Sequence, residues 1–334
     1  MQGGYMKEGK NRENRKEAPG GIKALFSINE VGVAMPLIVI CIVVSIINPD
    51  FLGFDNLIDV MRSACFNFIV AVPVTYLLIT ASLDLSIGAA ISLGGIICGK
   101  LLAAGVPTSA SILLALLAGA AIGFLKGTII VKYKLPAFIA TLGIQYIING
   151  VISITTSGMP ISGLPDNFKQ ISQGRFFDKI PYPVLIAIVI GVIGHIVLAK
   201  TKYGRALFAV GGNEETAYLS GINVKKISMS VQILVSVLAI FVGILLASRF
   251  SSAQPAAGTG TEMTILAAVI IGGTSMFGGK GTIVGTAIGC LMLAVISNGL
   301  VMIKVSSYWQ TLIFGFILLF SVALDQYRRS RSGA

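Results

Sequence analysis

Ten stretches of this 334-residue chain contain no Asp, Glu, Lys or Arg: 31–49, 63–83, 85–99, 101–125, 135–165, 180–199, 227–248, 263–279, 281–303 and 305–324. A helix needs about 20 mostly apolar residues to cross the hydrocarbon of a bilayer, and most of the runs reach that length. Runs 85–99 and 263–279 are shorter. Charged residues make up only 12% of the chain and apolar ones 55%, against roughly 45–50% apolar in soluble domains. A soluble fold with ten buried helices would need amphipathic helices to cover them, and the sequence offers none. These runs predict an all-α integral membrane protein of about ten transmembrane helices.

Residues 1–24 are polar and mixed in charge, and they read as a disordered cytoplasmic tail. The run at 31–49 lacks the small-residue cleavage site of a secretory signal and reads as a retained first span. The membrane domain is expected over 25–326, with a short basic cytoplasmic tail at 327–334. Cys41, Cys65, Cys98 and Cys290 all lie in apolar runs without metal or disulfide spacing, and they read as small hydrophobes. His195 is the only histidine; with no partner for a catalytic or metal constellation, it is expected to be buried as packing. No catalytic or metal-binding group is expected.

Threading the runs in order, with the N-terminus inside, sorts the basic residues. The inner side receives 18 of the 25: Lys7, Lys10, Arg12, Arg15, Lys16, Lys23, Lys126, Lys132, Lys134, Lys200, Lys202, Arg205, Lys225, Lys226, Lys280, Arg328, Arg329 and Arg331. That bias puts both termini in the cytoplasm. The net charge of +11 then reflects topology and anionic lipid headgroups, with no need for nucleic acid.

The halves of the chain resemble each other. IGAAISLGG (87–95) aligns with ILAAVIIGG (265–273), and an acid stands three residues ahead of each, Asp84 and Glu262. In the threaded topology the first copy starts inside and the second outside, as inverted five-helix repeats over about 31–165 and 180–325 would place them. Transporters built this way carry solute at the repeat interface, near short, glycine-interrupted segments, which makes Gly272 and Gly273 candidates for the route. Gly119, Gly123 and Gly127, and again Gly281, Gly285 and Gly289, recur every four residues and are expected to pack helices closely.

Two polar stripes run through the spans. Thr141, Gln145, Asn149 and Ser153 share a four-residue spacing, as do Ser228, Gln232 and Ser236. Polar side chains facing lipid are costly, so both stripes are expected to face other helices or a water-filled route, as interhelical bonds or as a hydroxyl-friendly pathway for a polyol or sugar. Asp84 is the one acid in 63–99. It is read either as an N-cap of the next helix or as part of a gate, with Ser hydroxyls, backbone N–H groups or a base elsewhere as its partners.

On the inner side, residues 200–226 form the longest polar connector. Asn213 can cap a short helix whose first turn holds Glu214 and Glu215, and Gly221 can end it. Ala217 and Tyr218 then offer contact surface. A docking knob and a plain solvated connector fit these residues equally. GGKGT (278–282) resembles a phosphate loop, but G-x-x-x-x-G-K-[ST] would put Thr274 at the first glycine and Gly281 at the metal-binding hydroxyl. The segment is therefore read as the turn between two spans.

LDLSIGAAISLGG (83–95), LPAFIATLG (135–143), TKYGRALFAVGGNEETAYLSGINV (201–224), AAVIIGGTSMFGGKGTIVGTAIG (267–289) and the last helix to Leu324-Asp325 together resemble the membrane permease subunit of bacterial ABC sugar importers of the ribose, galactose, xylose and autoinducer-2 class. The likeness covers about 30–326. It departs from the family at Glu214, where Pro is frequent, and at Thr264, where an acid is common. The resemblance implies a second permease copy or a related permease and an extracytoplasmic sugar-binding protein. It also implies separate ATPase subunits that carry ATP and Mg, this chain binding no cofactor. The implied ATPase seat is the 204–224 loop, with Gly204, Arg205, Gly211, Gly212, Asn213, Glu214, Glu215, Ala217, Tyr218, Ser220 and Gly221. The expected route residues are Asp84, Thr141, Gln145, Asn149, Gln232, Gly272 and Gly273. Loop 155–180 is a candidate surface for the binding protein. A stand-alone secondary transporter is the alternative, and it would need an intramembrane ion site.

Overall fold

A computed structural model describes residues 29–331. The expected tail at 1–24 and the last residues of the expected basic tail, 332–334, lie outside the described residues. Each charge-free run carries one apolar helix: α1 (Asn29–Ile47), α2 (Phe54–Ile79), α3 (Ile87–Ala103), α4 (Thr108–Val131), α5 (Ala137–Thr156), α7 (Tyr182–Lys200), α10 (Val224–Phe250), α11 (Thr261–Ile271), α12 (Ile283–Met302) and α13 (Ser307–Arg331). Between them lie three shorter helices, α6 (Asp166–Gln173), α8 (Lys202–Gly212) and α9 (Glu214–Leu219), a 3₁₀ turn at Pro49–Leu52 and a small hairpin of β1 (Arg175–Phe176) and β2 (Ile180–Pro181). The basic residues expected to open a C-terminal tail, up to Arg331, continue α13.

Among the described residues, six helices are long and apolar enough to cross a membrane: α2, α4, α5, α7, α10 and α12. α1, α3, α11 and α13 carry shorter apolar stretches. At 1.5 Å per residue, the 11 residues of α11 span only about 16 Å, roughly half the hydrocarbon thickness. The chain then continues without helix from Gly272 to Thr282, with Thr274 and Ser275 buried. Non-helical backbone at membrane depth is tolerated where protein encloses it.

Prolines set several helix starts. Pro107, Pro136, Pro165 and Pro181 immediately precede α4, α5, α6 and α7. Proline's fixed φ suits the entry to a helix, and its missing N–H costs nothing there.

α2 and α10 form the centre, and their packing is exchanged between the halves. α10 lies against α3 and α4, whereas α2 lies against α11 and α12. Close backbone approach makes this possible. A Cβ at Gly243 of α10 would strike the backbone carbonyl of Ile91 on α3, so only glycine fits. On α4, Gly119, Gly123 and Gly127 face Ile240, Ile233 and Met229 of α10, the close packing that their spacing predicts.

Around this centre the outer faces are apolar. α4 exposes Leu113, Leu114, Leu117, Phe124 and Leu125, and α7 exposes Ile188, Val189, Val192, Ile193 and Ile196. In water such continuous faces would drive aggregation; lipid tails cover them without penalty. His195 also lies on the exposed side of α7, contrary to the expected buried packing. The buried face of α7 is Ala187, Gly191, Gly194 and Leu198, and the imidazole falls one position past it.

Candidate functional site

The segment joining α2 to α3, residues 80–86, gathers polar contacts from three other helices. Asp84 Oδ1 accepts from the Ser86 N–H at 2.8 Å and the Ser86 hydroxyl at 2.6 Å. Asp84 Oδ2 accepts from Lys126 Nζ of α4, and both side chains are completely buried. Lys126 also donates to Ser86 Oγ at 3.2 Å. Asp84 thus forms a turn and an ion pair three residues before α3 begins, and Ser86 holds the N-cap position in its place. Lys126 is correspondingly buried in the helix core and is no cytoplasmic topology charge. The pairing was missed because Lys126 stands at the end of its apolar run, where a solvent-facing lysine is the default. The signal was its mate, a lone buried acid that required a cation.

Two further candidates meet the same segment. The Leu85 N–H donates to Thr141 Oγ1 at 3.2 Å, and Gln232 Nε2 approaches Ser82 Oγ at 3.5 Å. Asp84, Thr141 and Gln232, from three separate parts of the chain, therefore converge. Ser236 is buried one turn along from Gln232, so the α10 stripe faces inward as expected. The α5 stripe does not stay on one face. Thr141 is buried and Gln145 half-buried, but Asn149 and Ser153 are exposed on the chain. Four residues advance a helix by about 400°, so each step drifts about 40° and three steps turn the stripe out of the core. The buried line is instead Thr141, Ile144, Ile148 and Ile152.

Gly272 and Gly273 lie apart from this cluster. Gly272 ends α11 tightly against Gly285 of α12, and Gly273 carries φ +89 in the turn that follows.

On the face that holds 200–226, the connector is more structured than glycine turns alone imply. Thr201 caps α8, its hydroxyl accepting from Gly204 N–H at 3.2 Å. Gly204 is buried against Leu198, while Arg205 is exposed. Asn213 caps α9 as expected, Oδ1 accepting from Thr216 N–H at 2.8 Å, with Glu214 and Glu215 in the first turn. Ser220 ends the helix and Gly221 follows at φ +81. α9 is amphipathic. Ala217 turns inward against Val210 and Val224, which corrects its expected exposure. Tyr218 and Leu219 stand out, 70% and 78% exposed. Burial pushes the Tyr203 phenol up from its ordinary pKa, and its oxygen lies 2.7 Å from Ser230 Oγ, tying α8 to α10.

α8 ends on the core at a three-way backbone junction. A Cβ at Gly211 would strike the carbonyl of Ile79, the last residue of α2. That same carbonyl accepts from the Gly279 N–H at 2.9 Å. A Cβ on Gly278 would approach the Gly211 carbonyl to 2.5 Å. The GGKGT turn therefore seats the end of α8 directly beside the 80–86 segment. Gly212 is exposed just beyond it, and Lys280 faces out of the chain.

At the other end, α6 packs on α10 through Phe168, with Ser248 Oγ donating to the Phe168 carbonyl at 2.7 Å and accepting from Ser172 N–H at 3.0 Å. Asp166 and Lys169 pair on its surface at 2.7 Å, and that bond holds the Asp166 carboxyl below its ordinary pKa. Phe176 and Phe177 of the hairpin are exposed.

Residues 56–322 match the family described as the branched-chain amino acid transport system / permease component. The chain belongs to this permease family. It is 38% identical over 295 residues to the ribose import permease protein RbsC of Haemophilus influenzae, covering 87% of this chain and 91% of that protein. It is 39% identical to RbsC of Escherichia coli K12, covering 88% and 92%. It is 32% identical to the L-arabinose ABC transporter permease protein AraH of Azospirillum brasilense, covering 95% and 93%. No solved structure matches it significantly. Family membership and the apolar helices together make the chain a multi-pass membrane permease, a transport subunit rather than an enzyme.

Proposed function

We propose that this permease is the pore-forming subunit of an ATP-binding-cassette importer for a sugar or sugar-like polyol in the bacterial cytoplasmic membrane. The observation that carries the reading is the near end-to-end likeness to ribose and arabinose permeases, at 32–39% identity over about nine-tenths of the chain. Two ATPase chains carry ATP and Mg, an extracytoplasmic binding protein delivers the solute, and a second copy of this chain or a related permease completes the pore. The ten apolar helices are read as ten passes in inverted halves with both termini inside. The exchanged packing of α2 and α10 supports the halves. Asn149 and Ser153, polar and uncovered on α5, support a second copy or an aqueous route beside them.

The docking surface is read at α8 and α9. Gly204, Gly211 and Ala217 seat the helices, Asn213 and Gly221 terminate α9, and Arg205, Glu214, Glu215, Tyr218 and Ser220 face the ATPase. The 79–86 segment transmits the movement, since it touches α8 through Ile79 and the helix core through Asp84, Leu85 and Ser82. Thr141, Gln145, Asn149, Gln232, Gly272 and Gly273 are assigned to the route and its hinges.

Reconstitution in proteoliposomes with its ATPase and binding protein tests the reading. ATP-dependent uptake of D-ribose or another neutral sugar is expected, none occurring without ATPase. Uptake independent of ATP would establish the secondary-transporter alternative, and saturable ATP binding by this chain alone would overturn the division of labour.

A further inference from the structure

One polar side chain in the middle of α2 is left without a mate. Asn56 and Asn298 form a reciprocal amide pair across α2 and α12, at 2.8 and 3.1 Å. Thr75 and Thr286 meet at 2.7 Å across the same helices. The side chain of Asn67, half-buried midway along α2, makes no hydrogen bond among the described residues, nor do those of Thr259 and Thr261, while the Thr264 hydroxyl donates only to the Gly260 carbonyl at 3.4 Å. An unpaired amide at membrane depth is costly unless water or a solute satisfies it.

Asn67, Thr259 and Thr261 open into one cleft of about 520 Å³, walled by the start of α11, α13 and α2. Thr264 and Thr311 add two more hydroxyls, and Phe314 supplies an apolar wall. We propose that this cleft is a solute subsite for a neutral, pentose-sized polyhydroxy compound, an inference that rests on the sugar-importer reading above. The volume falls in the range of small-molecule sites. Each threonine hydroxyl can donate and accept, and the asparagine amide does both, which matches a ligand whose every hydroxyl does the same. Phe314 offers an apolar face for the C–H surface of a sugar ring. Among the described residues none that lines the cleft is charged, so it selects against sugar phosphates and sugar acids, whose charge would be desolvated without a partner. Few groups engage the ligand, so binding is weak, about millimolar or weaker, as release to the next stage of transport requires.

The test uses the full chain in nanodiscs, with Met263→Cys as a reporter on the cleft wall in a Cys41→Ser background. The rate of maleimide labelling is followed with D-ribose, ribitol, or D-ribose 5-phosphate. The neutral pair should slow labelling about sixfold at about five times their Kd, following 1 + [L]/Kd, and the phosphate should leave it unchanged. Asn67→Leu should abolish protection without altering the sugar-free rate, and Asn67→Ser should retain part of it. A sugar-free rate changed by Asn67→Leu signals altered folding, and Asn67→Ser then decides alone. Labelling indifferent to neutral sugars, or slowed equally by the phosphate, overturns the subsite. If that happens while ATP-driven uptake persists in the reconstituted importer, the subsite alone falls; absence of ATP-driven sugar uptake in that importer instead sinks the sugar-importer reading.

Discussion

Lys126 and Asp84 lie 42 positions apart in sequence, and their charges pair in the interior with neither side chain exposed. Ser86 completes the arrangement by donating to the carboxylate and accepting from the ammonium. A buried pair satisfied this fully contributes little relative to an apolar filling, but it tolerates no half-removal. Lys126→Met or Asp84→Asn alone should cost about 3–5 kcal/mol, because each leaves an uncompensated buried group. The double variant Asp84→Leu with Lys126→Met should recover much of that loss. Thermal melting of the purified chain in nanodiscs measures both, and double and single variants melting alike would refute the pairing.

The glycines of the core divide into those that touch and those that do not. A Cβ at Gly243 would overlap the Ile91 carbonyl, whereas nothing lies within 4 Å of one at Gly143 on α5. Gly243→Ala must push α10 from α3 and should cost about 1–3 kcal/mol, the usual range for overpacking. Gly143→Ala should be neutral or stabilising by up to about 1 kcal/mol, since alanine favours helix. Melting temperatures of the two single variants, side by side, decide it.

α9 presents Tyr218 and Leu219 to solvent while burying Ala217. An exposed aromatic and leucine on a capped, six-residue helix form a compact anchor of the kind that dominates interfaces. Tyr218→Ser should weaken association with the ATPase chain by about 2 kcal/mol, roughly 30-fold in Kd. Asn213→Ala should act indirectly, loosening α9 by about 1 kcal/mol through loss of the Thr216 bond. Co-purification and titration of the ATPase against the permease in nanodiscs read both effects. Unchanged affinity for Tyr218→Ser would place the seat elsewhere.

Much of this was legible in the residues. The ten runs mapped one to one onto apolar helices because the bilayer imposes length and hydropathy segment by segment. The α9 cap was legible because Asn213 and Glu214 act locally. Lys126 misled because ion pairing is non-local, and nothing in the run 101–125 points to Asp84. The α5 stripe was legible only in part: a four-residue spacing holds one face for a turn or two and then drifts off it, which leaves Asn149 uncovered on this chain. His195 misled because one position on a helix, about 100°, separates the core from lipid. The short α11 was visible only as a short run, since its ending depends on Gly272 packing against Gly285.

The junction of Ile79, Gly211 and Gly279 permits a test that separates docking from transmission. Gly211 touches the Ile79 carbonyl, and the Gly279 N–H holds that carbonyl from the other side at 2.9 Å. The side chains expected to face the ATPase, Arg205 and Tyr218, are not part of it. Gly211→Val should therefore leave ATPase association intact while displacing α8 from the segment that carries Asp84. The reconstituted importer should keep its ATPase activity and lose uptake at least tenfold, about 1.4 kcal/mol of coupling. Gly212→Ala, beside it but with nothing within 4 Å of its Cβ, serves as the control and should transport normally. Equal loss in the two variants would show that the glycine pair matters for chain flexibility, and intact uptake in Gly211→Val would remove the junction from the path between ATP and the pore.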